Sequence, residues 1–261
     1  MELNVYGCRG SIPSSSKATV RYGGNTSCYE IVTDNYQLVL DTGSGFRNLR
    51  LQPEKAKIIL YSHWHHDHIQ GLPFNADLFN QNNLITICSA LSTKRPFRNT
   101  LQTYFSGGYF PVDIVKHLSN LTFTNFNELQ DQLLPELNLN WLELNHPGGA
   151  AGYSIKSNVG KITYLCDNEY ENSQFDELKR FSEGSDIVIW DGMFTEIESL
   201  EKQGWGHSTI EQAIKFYKDS NLKKLLIAHH DPNRTDAELD ELSDTLPQGV
   251  EFAYDGMKVK I

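Results

Sequence analysis

Apolar residues along this chain gather into short runs that each stop at a polar cluster. Leu38-Val39-Leu40, Lys57-Ile58-Ile59-Leu60, Ile162-Thr163-Tyr164-Leu165, Ile187-Val188-Ile189-Trp190 and Leu225-Leu226-Ile227-Ala228 have the length and branched or aromatic content of β-strands. Gly148 to Ile155, followed by a turn at Asn158-Val159-Gly160, reads as two further strands. Between the later runs, Ser208 to Lys218 and Asp236 to Leu246 carry apolar residues at helical spacing and open with a capping Ser, Thr or Asp. The alternation predicts an α/β architecture. No repeat, low-complexity stretch or charge block divides the chain, so residues 1–261 read as a single domain. Chemistry in such folds sits on loops leaving strand ends, which is where this sequence places its His and Asp residues.

Composition narrows the function classes. A chain of 261 residues buries enough surface to fold without covalent staples. Its four cysteines, Cys8, Cys28, Cys88 and Cys166, form no CxxC pair, so they suggest neither a disulfide framework nor a thiolate metal cage, and a reducing cytoplasm fits them. Met1-Glu2-Leu3-Asn4 lacks the basic and apolar regions of a leader, and no apolar run reaches the roughly 18 residues of a membrane span. The expectation is a soluble cytoplasmic protein with no membrane partner. The formal charge of −10 opposes phosphate backbones and argues against a stable nucleic acid complex, while leaving room for a small anion held by metal.

The strongest chemical signal is histidine. Four of the nine histidines, His63, His65, His66 and His68, fall within Ser62-His-Trp-His-His-Asp-His-Ile-Gln-Gly71. Imidazole and carboxylate suit zinc, and a strand-to-loop turn lets alternate residues converge on one point while the next pair addresses another, so two adjacent metals could be held. Capping a helix would need one Asp and no histidines. Three more candidates each follow a β-like run: His146 in Asn-His-Pro-Gly-Gly, Asp167 in Tyr-Leu-Cys-Asp-Asn-Glu, and His229 in Ala-His-His-Asp-Pro.

In this order along the chain, the residues resemble the metallo-β-lactamase superfamily, whose motifs run His-x-His-x-Asp-His, His, Asp, His. The resemblance spans almost the whole chain and implies a four-layer αβ/βα sandwich with two Zn2+, or Mn2+ or another divalent ion in their place. It assigns His63, His65 and His146 to one metal and Asp67, His68 and His229 to the other, with Asp167 bridging and His66 a bystander. The choice of His229 over His230 follows the register set by Pro232 in the endings of similar enzymes. Asp41, in Val39-Leu40-Asp41-Thr42-Gly43-Ser44-Gly45, matches the family's strand-end Asp and would orient a metal-bound histidine through its free ring nitrogen. Asp-Thr-Gly-Ser is also an aspartic protease signature, but that mechanism needs two such carboxylates sharing a proton and the chain has one copy.

Two later segments narrow the branch: Trp190-Asp191-Gly192-Met193-Phe194-Thr195 and Gly204-Trp205-Gly206-His207-Ser208-Thr209. They resemble paired segments of the transfer RNA 3′-processing nucleases and related cyclic-nucleotide phosphodiesterases, with Asp191 in place of a Glu. The resemblance makes His207 a general acid for the leaving oxygen, oriented by Asp191, and Asp67 a further acceptor for the proton of the attacking water. The competing reading of His207 is incidental proximity to a capping Ser208. The processing nucleases carry an arm between the positions of His146 and Asp167, where this chain has only 20 residues. Gly7-Cys-Arg-Gly-Ser-Ile-Pro13 and Arg21-Tyr-Gly-Gly-Asn-Thr-Ser27 resemble an arm-less bacterial and phage group that includes phosphodiesterases of 3′,5′-cyclic nucleotides, some of them immune signals. The expected activity is therefore hydrolysis of a small phosphodiester, most simply a cyclic nucleotide, by a homodimer. The alternatives are an RNA-processing nuclease and a catalytically silent metal-bound nucleotide sensor. Phe97, Tyr104, Phe105, Tyr109 and Phe110 read first as core and second as a base-stacking segment, a lid or a subunit contact. Arg9, Arg21 and Arg95 are candidate phosphate partners with surface residues as the plainer reading, and His117 has no assignment.

Overall fold

The computed structural model describes residues 1–93 and 97–261. Arg95 lies outside them. Thirteen strands alternate with helices among the described residues. The strands are β1 (Glu2–Gly7), β2 (Cys28–Val32), β3 (Tyr36–Leu40), β4 (Ala56–Leu60), β5 (Ile85–Cys88), β6 (Leu121–Phe123) and β7 (Asn138–Leu144), then β8 (Ala150–Lys156), β9 (Lys161–Leu165), β10 (Ile187–Asp191), β11 (Leu225–Ala228), β12 (Val250–Phe252) and β13 (Lys258–Lys260). The helices are α1 (His66–Ile69), α2 (Phe97–Tyr104), α3 (Ile114–His117), α4 (Phe126–Leu133), α5 (Phe175–Ser182), α6 (Glu196–Ser199), α7 (Ile210–Ser220) and α8 (Asp236–Ser243).

A seven-stranded sheet has the order β13-β1-β2-β3-β4-β5-β6 and a six-stranded sheet the order β12-β11-β10-β9-β8-β7. Both are mixed: β3 to β6 run parallel, as do β9 to β12, while the remaining pairs are antiparallel. Side chains alternate across each sheet, so one strand feeds two cores. Leu38, Leu40, Ile58 and Leu60 meet Ile187, Ile189, Leu226 and Ala228 between the sheets. Val39 and Ile59 face outward onto Ile69, Phe97, Leu101, Ile114 and Val115, the buried faces of α1 to α3. Val188, Trp190, Leu225 and Ile227 face outward onto Leu178, Ile210, Ala213, Phe216 and Leu239 of α5, α7 and α8. The result is the four-layer αβ/βα sandwich of the metallo-β-lactamase fold. Strands covered on both faces must be apolar at every position, which is why these runs are continuous and do not alternate.

The two sequence-predicted helices shift by a residue or two. The first runs Ile210–Ser220 with Thr209 as its cap, accepting from the Gln212 N–H in a reciprocal capping box, so Ser208 does not cap it. The second is capped by Thr235 and ends at Ser243, short of Leu246. In the aromatic stretch, Phe97 and Phe105 are buried, Tyr104 and Phe110 half-buried, and Tyr109 is exposed. Arg9 is fully buried, donating to the carbonyl oxygens of Gly23, Asp231 and Arg234, and Arg21 pairs with Asp240. All four cysteines are free and buried. No described helix is long and apolar enough to cross a membrane.

Candidate metal centre

Both sheets bring the carboxyl ends of their parallel strands to one edge. Leu40 of β3 stands opposite Leu60 of β4, and Trp190 of β10 opposite both Leu165 of β9 and Ile227 of β11. The residues at or just past these ends are Asp41, Ser62 and His63 on one side, and Asp167, Asp191 and His229 on the other. Asp41, Asp167 and His229 have left-handed backbones, with φ of 60°, 64° and 58°. For non-glycine residues this conformation costs on the order of 1–3 kcal/mol, and it collects where function demands a particular side-chain direction.

The side chains converge. His63, His65, His146 and Asp167 form one group of candidate ligands, and Asp67, His68 and His229 a second, with all candidate atoms in each group within 4.8 Å of one another. His65 Nδ1 faces His146 Nε2 at 2.9 Å. Asp167 lies between the groups: its Oδ2 is 3.5 Å from His63 Nε2, 3.3 Å from His68 Nε2 and 3.7 Å from His146 Nε2, and its Oδ1 is 3.2 Å from His229 Nδ1. Asp67 Oδ2 is 3.3 Å from His68 Nε2 and 3.8 Å from His229 Nε2. His63 Nε2, His68 Nε2 and Asp167 Oδ1 are buried with no hydrogen-bond partner. Buried polar atoms normally have one, so inward-facing lone pairs left bare are what a cation-binding cluster requires. The residues present fit divalent metal binding.

The outward atoms are occupied. His146 Nδ1–H donates to the Gly206 carbonyl at 2.8 Å, which leaves the Nε2 lone pair facing the cluster. His68 Nδ1 meets Asp41 Oδ2 at 2.8 Å, and the Asp41 carboxylate also accepts from the Ser62 N–H and hydroxyl and from the Tyr164 hydroxyl. Asp41 thus orients a cluster histidine and braces the strand end before His63, which leaves no protease-like pairing of carboxylates. Burial pushes His63 well below the ordinary histidine pKa and lowers His65 as well, holding both in the neutral form that can ligate. Burial also opposes a charge on His68, but Asp167, Asp67 and Asp41 outweigh it and hold its pKa well above the usual value. The same three carboxylates would favour a cation bound beside His68 Nε2.

The other histidines stay outside. His66 is exposed and hydrogen-bonds the Tyr104 hydroxyl. His230 Nε2 bonds the Ala253 carbonyl at 2.8 Å, and burial lowers its pKa to about 3. His117 lies on the surface.

His207 sits beside the cluster, its ring stacked on His229 at 4.8 Å between centroids. Its Nδ1 meets Asp191 Oδ2 at 2.8 Å, so the shorter acid spans the gap. The Asp191 carboxylate in turn accepts from the Asn168 and Met193 N–H groups. Burial works against a charge on His207, but Asp191 outweighs it and lifts the pKa to about 9. Ser208 donates to the Asn168 carbonyl and accepts from the Tyr170 N–H. It ties the His207 loop to the segment after Asp167.

Several contacts had no sequence signal because backbone makes them. The Ser11 N–H, in a left-handed turn with φ of 58°, donates to Asp67 Oδ2 at 2.8 Å. Gly10 lies so close to the His229 ring that a Cβ would fall 2.6 Å from it, and a Cβ on Gly206 would fall 2.2 Å from His146 Nδ1. Glu169, two residues beyond Asp167, accepts from the Gly204 and Gly206 N–H groups, each at 2.8 Å.

Comparison with known proteins agrees with this architecture. Residues 36–230 match the family model described as the beta-lactamase superfamily domain. The probable metallo-hydrolase YhfI of Bacillus subtilis is 25% identical over 232 residues, covering 88% of this chain and 86% of the relative. Its crystal structure, described as a metallo-beta-lactamase fold protein, superposes with a TM-score of 0.74 at 21% identity over 99% of both chains. Ribonuclease Z of Treponema denticola is 26% identical over 305 aligned positions, covering 94% of this chain and 92% of the relative. A diphosphatase of the PhnP family superposes with a TM-score of 0.69 at 18% identity, covering 100% of this chain and 97% of that one.

Proposed function

The chain belongs to the beta-lactamase superfamily, a metallo-hydrolase fold, and from that premise we propose that it is a di-zinc phosphodiesterase opening 3′,5′-cyclic nucleotides to nucleoside monophosphates. One observation carries the reading: an imidazole, oriented by a buried carboxylate, lies against the candidate metal cluster. In this reading His63, His65 and His146 would hold one ion and Asp67, His68 and His229 the other, with Asp167 placed between the two groups. Bound ions would polarise the phosphoryl oxygens and lower the pKa of the attacking water toward neutrality. His207 Nε2–H delivers its proton to the ribose oxygen as the phosphorus–oxygen bond breaks, and Asp191 fixes the ring by holding Nδ1. Asp67, with one oxygen already accepting from Ser11, is the nearby carboxylate able to take the proton the water loses.

The space between His146 and Asp167, where an RNA-gripping arm would be inserted, is filled by the β8–β9 hairpin with a short turn. The alignment with ribonuclease Z is longer than this chain, so that relative carries segments with no counterpart here. Together with the net charge of −10, this favours a small phosphodiester over transfer RNA. The reading also includes a homodimer, for which light scattering in solution is the direct check. His207, Asp167 and His229 form a third group of candidate ligands with atoms within 4.8 Å of one another, so the role of His207 as an acid and not a ligand is part of the proposal.

The test is hydrolysis of 3′,5′-cyclic AMP, GMP, CMP and UMP, beside a dinucleotide and a short RNA, by protein of measured metal content. Turnover of the cyclic mononucleotides supports the reading. Cleavage of the RNA alone replaces it with the nuclease, and metal bound without any cleavage removes the substrate class.

A further inference from the structure

Trp205 is one of the largest apolar side chains in the protein, yet it is 55% exposed on the turn that leads into His207. That turn is not loose. The two oxygens of Glu169 accept from the Gly204 and Gly206 N–H groups on either side of Trp205, each at 2.8 Å, and the Trp205 N–H donates to the Lys202 carbonyl at 3.1 Å. Gly204 and Gly206 have φ of 81° and 87°, a conformation other residues rarely adopt, so the backbone doubles back on both sides of the tryptophan. The next carbonyl, that of Gly206, holds His146 at 2.8 Å, which fixes the turn to the candidate metal cluster. An indole on so braced a turn is presented with little conformational freedom left to lose on binding.

Its surroundings have the chemistry of a nucleotide subsite. Lys202 Nζ stands 4.1 Å from the Trp205 ring centroid and 5.8 Å from that of Phe194. The Phe194 ring in turn lies 5.9 Å from that of His207. A half-exposed indole with an ammonium over its ring therefore stands near His207, the acid of the proposed reaction. Aromatic faces stack on every nucleobase, and an adjacent ammonium suits the acceptor edges of a base.

We propose that Trp205, held on the turn from Gly204 to Gly206 by Glu169, is the surface on which the planar base of the substrate stacks, with Lys202 as the cation of that subsite. The inference rests on the nucleotide reading of the metal centre, and it makes Trp205 the determinant of affinity for the base-bearing part of the substrate.

The experiment uses the full zinc-loaded chain as wild type, Trp205→Ala, Trp205→Phe and Lys202→Met, each with zinc content and thermal midpoint recorded. Binding of the four common nucleoside 5′-monophosphates is measured by calorimetry. Alongside it, kcat and KM are measured for a 3′,5′-cyclic nucleotide and for methyl p-nitrophenyl phosphate, which has no base. Because stacking on an aromatic side chain strengthens binding by about 5- to 150-fold per base, Trp205→Ala should weaken monophosphate binding by about fivefold or more. It should also lower preference for the cyclic nucleotide over the base-free ester by a similar factor, chiefly through KM, and Trp205→Phe should restore most of the loss. Monophosphate binding within twofold of wild type in Trp205→Ala, or no monophosphate binding by wild type, overturns the inference. If wild type cleaves the base-free ester but no cyclic nucleotide, while monophosphate binding still depends on Trp205, the proposed activity falls and this subsite stands.

Discussion

The first sheet delivers His63, His65, Asp67 and His68 from one continuous stretch leaving β4. The second delivers His146, Asp167 and His229 singly, from the ends of β7, β9 and β11, with Asp191 at the end of β10. The first set is placed by local geometry: a strand end, two alternate residues, then the first turn of α1. The second is placed by strand register, by left-handed backbones at Asp167 and His229, and by contacts from distant loops. A cluster assembled in this way can fail from either side, and the two sides fail differently.

Asp167→Ala is the largest expected break, because this carboxylate stands within 3.7 Å of atoms from both groups. It should abolish turnover and leave the chain short of both metals by elemental analysis, whereas His63→Ala should abolish turnover while reducing metal at one position first. His207→Ala comes next. Turnover of a cyclic nucleotide should fall by about 10²- to 10⁴-fold, the usual worth of general acid help, with metal content kept. Lost metal in that variant would move His207 from acid to ligand.

A smaller effect sharpens the contrast on the first-sheet side. Asp41→Asn keeps the shape but weakens acceptance from His68 and Ser62, so zinc affinity should drop by about 10- to 100-fold, read by competition with a chromogenic chelator. The smallest effect lies on the second-sheet side. Thr209→Ala removes the cap of α7 just beyond His207 and should lower stability to denaturant by about 1 kcal/mol, with kcat little changed. An equal loss of kcat would show that the His207 loop depends on the helix cap.

The same division separates what the sequence disclosed from what it did not. Strands β3, β4, β9, β10 and β11 stood out because burial on both faces makes them unbroken apolar runs. The edge strands β12 and β13 have three residues each, too few for a period to register, and β7 mixes exposed and buried positions without clean alternation. The histidine stretch of the first sheet was legible by itself, since chemistry and spacing occur together in it. His146, Asp167 and His229 were legible only as residues following strands, and their assignment came from family resemblance. The supports of the second half escaped because they are backbone events: the Ser11 N–H on Asp67, the Gly206 carbonyl on His146, and the approach of Gly10 to His229. Glu169 was visible as an acid beside Asp167, but its partners are two amides 35 and 37 residues away. Ser208 looked like a helix cap because Ser before a helix usually is one, and here Thr209 took that place.

The central claim is that metal binding and proton delivery are separate tasks carried by separate residues. The most direct measurement is the dependence of His207→Ala on the leaving group: kcat/KM for a cyclic nucleotide, whose ribose oxygen needs a proton, against bis(p-nitrophenyl) phosphate, whose phenolate does not. Zinc content is measured on the same samples. The account predicts full zinc, a loss of about 10²-fold or more on the cyclic nucleotide, and a far smaller loss on the p-nitrophenyl ester. Equal losses on both substrates, or loss of zinc, would contradict it.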